Sequence, residues 1–95
     1  MSTFFMFGKY SINALQKVSA SRTREVKNLV ARYQGEIKDM YALLGDKDLV
    51  FIVELPSIEE AIKVSTALSK LTGIAFTTSP AIPVEDFDMF VQVDD

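Results

Sequence analysis

Residues 40–56 read Met-Tyr-Ala-Leu-Leu-Gly-Asp-Lys-Asp-Leu-Val-Phe-Ile-Val-Glu-Leu-Pro, two apolar runs joined by a short polar turn that contains a glycine. The pattern predicts a β-hairpin. The run after the turn, Leu49 to Val53, is apolar throughout and mostly β-branched or aromatic, which is typical of a strand buried on both faces. The rest of the chain must therefore supply cover for this hairpin.

The residues before the hairpin predict a strand, a short helical turn and a helix. Thr3 to Tyr10 is aromatic and apolar without helical spacing, so it is expected to be a strand, and Ser11 to Val18 is expected to be a helical turn capped by its serine. Ser21 is the expected N-cap of the helix, and Gly35 is expected to end it near residue 34. Its apolar stripe comprises Val26, Leu29, Val30 and Tyr33. The next strand, the first of the hairpin, is expected over residues 36–44.

A second helix and two strands are predicted after the hairpin. Ser57 and Glu60 form a capping box, and Gly73 marks the end of the helix. Residues 74–79 are expected to form the fourth strand, closed by Pro80 and Pro83. In the C-terminal extension, residues 84–95, alternating apolar and polar residues predict an edge strand that pairs with its own sheet or with a neighbour's; the apolar positions are Phe87, Met89, Val91 and Val93.

The order β-α-β-β-α-β, with an extra C-terminal strand, predicts an α+β, ferredoxin-like sandwich, with residues 1–95 forming a single domain. Two helices cover only one face of such a sheet, whereas the first and third strands are apolar on both faces. We therefore expect a second copy to cover the open face, sheet against sheet, as in dimeric α+β barrels. The predicted assembly is a homodimer or a larger oligomer.

Composition excludes several kinds of chemistry. The chain has no cysteine and no histidine, which rules out thiolate sites, Ser-His-Asp triads and His-ligated haem. We expect no metal and no cofactor, since the acidic residues show no calcium-loop spacing. No apolar run approaches the ~20 residues of a membrane span, and the N-terminus does not resemble a signal peptide. The sequence thus predicts a soluble, unprocessed, cytoplasmic protein that has no membrane partner.

Charge is distributed unevenly along the chain. Residues 1–38 carry seven Lys/Arg and two Glu, whereas residues 39–95 carry three Lys and eleven Asp/Glu. A nucleic-acid-binding protein of this size would need a basic surface that the acidic second half does not offer. We expect no nucleic-acid partner, and interpret the asymmetry as solvated faces of opposite sign that pair within or between subunits.

With this order of elements in place, the chain resembles the GYD domain family over nearly its whole length. The resemblance rests on the aromatic first strand and on short segments at matching spacing: Ser21-Arg22-Thr23-Arg24, Gly35-Glu36-Ile37-Lys38, Tyr41-Ala42-Leu43-Leu44-Gly45, Asp48-Leu49-Val50 and Glu54-Leu55-Pro56. The family pattern at the turn is Gly-x-Tyr-Asp, and Lys47 stands in the place of its tyrosine. The family implies the fold but no established activity.

The second half of the chain, from Gly45 to Ile74, also resembles the ligand-binding RAM domain of Lrp/AsnC-type transcriptional regulators. That resemblance implies dimeric ferredoxin-like units that bind amino acids near subunit contacts. It does not imply DNA binding, because no helix-turn-helix segment precedes the domain in this sequence. The function expected on these grounds is a small-molecule-binding module, amino-acid-like ligands included, or an assembly module.

Candidate site residues cluster at the hairpin turn. Lys47 could bind a carboxylate and Asp48 an ammonium group, with Gly45 and Asp46 completing the turn. The structural alternative is that Gly45 supplies unusual backbone angles, Asp48 bonds nearby amides and Lys47 is solvated. Arg24, in the first turn of the predicted helix, is a candidate for an anion contact or a salt bridge.

Three further residues, Lys38, Tyr41 and Glu54, lie on or beside the hairpin strands, where they would line a cleft. The alternative is a cross-strand ion pair between Lys38 and Glu54. A competing class is a cofactor-free dimeric α+β barrel enzyme, an oxygenase or isomerase acting on a small apolar substrate. Its acid-base candidates would be Lys38, Tyr41, Asp48 and Glu54. No catalytic residue is assigned, because none of these has a supporting partner that the sequence reveals.

Overall fold

A computed structural model describes residues 1–92 as an antiparallel sheet with helices. The elements are β1 (Ser2–Lys9), α1 (Ile12–Gln16), α2 (Ala20–Arg32), β2 (Glu36–Ala42), β3 (Leu49–Leu55), α3 (Ile58–Thr72), β4 (Ala75–Ala81) and α4 (Val84–Phe90). From β1 to β4 the order is the predicted ferredoxin-like one, with the short helix α1 inserted before α2. The predicted α+β fold is thus confirmed.

The sheet has the strand order β2-β3-β1-β4. The predicted hairpin forms from β2 and β3, which pair with Tyr41 opposite Val50 and Ala42 opposite Leu49. β3 also pairs with β1, so that Phe7 lies opposite Val50 on the other side. The strand predicted to be buried on both faces is therefore one of the two central strands.

The core lies between one face of the sheet and the helices α2 and α3. Side chains alternate along β1 and β3, which places Met6, Val53 and Leu55 on the helix side, where they are almost completely inaccessible to solvent. They pack against apolar residues of the helices, chiefly Val26, Leu29 and Val30 of α2 and Ala61, Val64 and Leu68 of α3. This burial against both helices is the main source of cohesion in the fold.

The opposite face of the sheet carries a second apolar patch. Phe5, Phe7, Val50 and Ile52 occupy the positions that alternate with the core residues, and the rings of Phe5 and Phe7 lie 6.3 Å apart. Val50 is only 7% exposed, while Phe5, Phe7 and Ile52 are half-buried. No helix packs across this patch within residues 1–92, so we call it the open sheet face.

The two helix boundaries of α2 differ from the sequence-based expectation. Its N-cap is Ser19 rather than Ser21, and the Ser19 hydroxyl accepts a hydrogen bond of 3.1 Å from the Arg22 amide. At its C-terminal end the left-handed residue is Gln34, with φ of 59°, rather than Gly35. Gly35 is needed for another reason: a Cβ there would lie 2.8 Å from the Glu54 carbonyl oxygen. The predicted cap of α3, in contrast, is confirmed, with Gly73 at φ of 74°.

The predicted C-terminal edge strand is wrong. Residues 84–90 form the helix α4, which buries none of its side chains, and the last apolar position of the predicted strand, Val93, lies outside the described residues. Alternation misled because Val84, Phe87 and Val91 also recur at helical spacing. The fourth strand is longer than expected and includes Pro80, which is tolerated because β4 is an edge strand.

Candidate functional site

A cavity lies between the N-terminal half of α2 and the turn end of the hairpin. Its volume is about 190 Å³. Its lining is mainly apolar and comes from the α1–α2 segment, the hairpin, and the residues that flank β1 and β4: Tyr10, Val18, Ser19, Arg22, Thr23, Val26, Met40, Tyr41, Ala42, Leu49, Phe51, Thr72 and Ile74. We call it the α2 cavity. It has space for a small molecule with an apolar body.

Arg22 is the charged residue in the lining of the α2 cavity. Its Nη1 atom donates a hydrogen bond of 2.7 Å to the Ala14 carbonyl, and its guanidinium carbon lies 5.9 Å from the centre of the Tyr10 ring. These two contacts fix the long side chain, and a guanidinium held in this way retains N–H donors for a carboxylate. Arg22 also lies in the first turn of α2, where backbone N–H groups add to the positive potential.

The predicted site at the hairpin turn borders the same cavity. The Asp48 carboxylate accepts a hydrogen bond of 2.7 Å from the Tyr10 amide, and the Asp48 amide donates one of 2.9 Å to the Gly8 carbonyl. The turn is tied to the end of β1 a second time, because Lys9 Nζ donates to the Asp46 carbonyl at 3.0 Å. Since Tyr10 also lines the cavity, Asp48 positions part of its wall.

Gly45 and Asp48 show the two backbone features that the structural alternative predicts. Gly45 has φ of 129°, a value that L side chains rarely adopt, so glycine is needed there. Asp48 bonds a backbone amide, as expected of an aspartate next to a turn. Lys47 is half-buried and Asp46 is exposed, and neither lines the cavity.

The three hairpin residues are not brought together. Tyr41 lines the α2 cavity and is 55% exposed, whereas neither Lys38 nor Glu54 lines it. Lys38 lies at a bulge between Ile37 and Asp39, and its ammonium group is 3.7 Å from the Glu36 carboxylate. Glu54 pairs in register with Glu36 and with Thr3, at the end of β3 remote from the turn.

Sequence reasoning misses Arg22 and the cavity itself. The sequence draws attention to Arg24 because a cation in the first turn of a helix gains nothing from the helix dipole. Arg22 is also a cation in the first turn of α2, so the same argument would have identified the residue that lines the cavity. The contributions of Tyr10, Met40 and Ile74 depend on which strands are neighbours, so no local pattern indicates them. The cavity is a product of the tertiary fold.

A second cavity, of about 270 Å³, lies between α3 and β4. Its lining is uncharged: Phe4, Ile58, Ala61, Ile62, Ser65, Thr66, Thr78 and Pro80. The hydroxyl groups of Ser65 and Thr78 already bond each other at 2.9 Å. A polar ligand would find fewer free partners here than beside Arg22.

Neither a metal centre nor a membrane span is found in the part of the chain that the structure describes. Within residues 1–92 no three acidic side chains are grouped so as to hold a metal ion. No helix in the same range has the length and apolar character needed to cross a bilayer.

The antiparallel sheet of order β2-β3-β1-β4, with α2 and α3 on one face, defines a protein of the ferredoxin-like α+β class. The family model of the GYD domain matches residues 3–91, and the chain therefore belongs to the GYD domain family. No curated protein matches the chain.

Solved structures with the same fold include two transcriptional regulators. The leucine response regulatory protein (LrpA) of Mycobacterium tuberculosis is 10% identical over 86% of this chain, with a TM-score of 0.58. An AsnC family transcriptional regulator of Agrobacterium tumefaciens is 17% identical over 85% of the chain, with a TM-score of 0.57. The matched part is 51% and 50% of the two regulator chains, so this chain corresponds to about half of each.

A third structure, from Thermus thermophilus, matches over nearly its full length. It is 24% identical, covers 87% of this chain and 95% of that one, and gives a TM-score of 0.56. At these levels of identity the three likenesses establish a shared fold. The two regulators agree with the resemblance to Lrp/AsnC-type proteins that the sequence indicates.

Proposed function

We propose that this protein is a cytoplasmic, homo-oligomeric module that binds a small carboxylate with an apolar body, an amino acid included, in the α2 cavity. The observation that carries the proposal is the position of Arg22, a fixed guanidinium in the wall of an otherwise mainly apolar cavity. An apolar pocket with a few placed polar groups is the usual form of a small-molecule site.

The turn supports the proposal by shaping the cavity rather than by contacting the ligand. Asp48 holds Tyr10 in place, and Tyr10 in turn lies beside the Arg22 guanidinium. A ligand carboxylate bound to Arg22 would sit near the N-terminus of α2, and its apolar part would lie toward Met40 and Phe51.

The volume of the cavity sets the size of the ligand. At about 190 Å³ it is smaller than the ~300–1,000 Å³ typical of pockets for drug-sized molecules, so the proposed ligands are of the size of a single amino acid. A second subunit would enclose the ligand further only if it covered the mouth of the cavity. Of the four acid-base candidates of the enzyme alternative, Tyr41 lines the cavity, whereas Lys38, Asp48 and Glu54 do not.

A thermal-shift panel tests the proposal with amino acids, other small carboxylates and neutral aromatics. We expect stabilisation by at least one carboxylate, and a neutral amide analogue of that compound should stabilise less. In Arg22→Gln the apparent affinity for that carboxylate should fall at least tenfold. The matched control is Arg24→Gln, in the same helix but outside the cavity lining, which should bind normally.

A second variant is needed because Arg22→Gln also removes the hydrogen bond to the Ala14 carbonyl of α1. Thr23→Phe introduces bulk into the cavity lining while Arg22 is kept, and it should abolish binding in a protein whose circular dichroism is unchanged. Binding that persists in both folded variants would show that the ligand site is elsewhere. No response to any compound in the panel would contradict the proposal.

A further inference from the structure

The helix α4 carries apolar surface that its own chain does not cover. Val84 is 69% exposed, Phe87 53% and Phe90 75%. The described chain measures 55 × 31 × 18 Å, and its radius of gyration of 14.8 Å exceeds the roughly 12 Å expected for a compact chain of this length. Two exposed phenylalanines within one short helix are unusual on a free surface.

The same segment is acidic. Glu85, Asp86 and Asp88 lie in α4, and residues 82–92 contain no lysine or arginine. A seven-residue helix is too short to be stable in water by itself, so its apolar residues require a packing surface. A fitting surface would combine an apolar floor with positive charge at its rim.

A shallow groove with these properties lies along the exposed face of α3, where the C-terminal end of α2 borders it; we call it the α2–α3 groove. Its volume is about 330 Å³, and it is lined by Tyr33, Ile62, Lys63, Thr66, Ala67 and Lys70. Ile62, which is 63% exposed, is the largest aliphatic side chain in the lining. Lys63 and Lys70 supply the positive charge, and the one ion pair found for Lys63 in residues 1–92, with Glu60, is long at 3.9 Å.

We infer that α4 of one copy docks in the α2–α3 groove of a second copy, with its phenylalanines on Ile62 and its carboxylates near Lys63 and Lys70. This is the helix-in-groove mode of recognition, with charge complementarity setting the orientation. The surface is distinct from the open sheet face and from the α2 cavity. An exchange of helices between copies would add to any contact through the sheets.

The α4 helix of the same chain does not occupy this groove, because α4 buries none of its side chains within residues 1–92. α4 follows the edge strand β4 after a linker of two residues, Ile82 and Pro83, so the end of β4 and the start of α4 are at most about 11 Å apart. α3 packs over β4, β1 and β3 with its inner face, and the groove lies on its exposed face. The occupant is therefore a second copy.

Cysteine cross-linking tests this docking, because the chain has no native cysteine. Ile62→Cys and Phe87→Cys are purified separately, one of them with a size tag, mixed and exposed to a mild oxidant. The expected product is a disulfide-linked heterodimer that forms at least tenfold faster than in a control mixture of Phe87→Cys with Leu44→Cys, since Leu44 is fully exposed in the turn. Equal rates in the two mixtures would overturn the inference.

The double variant Ile62→Cys, Phe87→Cys distinguishes docking between copies from docking within one chain. Linked dimers and larger species support the exchange, whereas a linked monomer would overturn it. Lys63→Glu with Lys70→Glu should slow the cross-linking of the mixture several-fold, because both rim charges are reversed. This readout does not depend on a ligand, so a negative thermal-shift panel and a negative cross-linking result are separate findings.

Discussion

At the scale of single residues, Asp48 is singled out by the sequence, and the structure shows a contact of its carboxylate that the sequence does not reveal. The turn stands out in the sequence because charged residues interrupt an apolar hairpin, and in the structure Asp48 is engaged there by a backbone amide. That amide belongs to Tyr10, 38 positions away in the chain, so no local pattern predicts it. The sequence predicts that the polar side chains of the turn form specific interactions. It does not predict that the partner of Asp48 is the Tyr10 amide.

We predict that Asp48→Ala lowers the free energy of unfolding by about 2 kcal/mol, because the bond from the Tyr10 amide has a charged acceptor. The control is Asp46→Ala, which should change stability by less than about 0.5 kcal/mol, since the Asp46 side chain is exposed and its Lys9 contact is through the carbonyl. Urea denaturation measures both. Equal stability of the two variants would show that the Asp48 carboxylate is not committed to Tyr10 and is free for a ligand.

Residues 34 and 35 show a similar limit of local reasoning. The sequence predicts left-handed angles at Gly35, but Gln34 adopts them, and Gly35 is required because β3 approaches it closely. A glycine near the end of an apolar stripe predicts the C-terminal end of a helix to within one or two residues. The close approach of Leu55 and Glu54 to Gly35 depends on how β3 packs, so the local sequence does not predict it.

At the scale of elements, the hairpin and α3 are closely predictable because each has two concordant signals, apolar periodicity and a specific turn or cap. The start of α2 has only one signal, its apolar periodicity. Neither Ser19 nor Ser21 is followed three residues later by a Glu or Gln, so no capping box marks the first residue of the helix. The C-terminal segment has periodicity alone, and over so few residues a period of two and a helical period are not distinguishable. The structure places the C-terminal segment in a helix.

We predict that Ser19→Ala destabilises the protein by about 1 kcal/mol through loss of the N-cap bond to the Arg22 amide. Ser21→Ala, within the first turn of α2, should be neutral or slightly stabilising because alanine has the higher helix propensity. Chemical denaturation of the two variants side by side provides the measurement. A larger loss for Ser21→Ala than for Ser19→Ala would mean that the helix starts two residues later in solution.

At the scale of the whole molecule, the layers are predictable from the sequence and the cavities are not. Apolar residues on both faces of β3 indicate a sheet with two buried sides, and the structure places Val50 and Ile52 opposite the helix layer. The α2 cavity, in contrast, arises where α2, β2, β3 and the residues that flank β1 and β4 converge, so its lining depends on strand order. Membership of the GYD family indicates the fold but not the ligand. The proposed class of ligand rests on the position of Arg22 in the cavity lining.

The open sheet face carries the last prediction. Phe5, Phe7, Val50 and Ile52 form a continuous apolar patch, and we expect the wild-type protein to be at least a dimer through it. Phe7→Glu places a carboxylate at the centre of that contact, where a second sheet would remove it from water without a partner. The variant should elute as a smaller species than the wild type in light scattering on a sizing column, with unchanged circular dichroism.

Leu44→Glu is the matched control, because it adds the same charge at a fully exposed position in the turn. It should keep the wild-type oligomeric state. Comparison with Phe87→Glu separates the open sheet face from the α2–α3 groove. With Phe7→Glu present, Ile62→Cys and Phe87→Cys should still cross-link. Phe87→Glu should leave the contact through the open sheet face intact. A monomeric wild type at micromolar concentration would contradict the sheet contact, because the apolar residues opposite the helix layer would then be stable in water without cover.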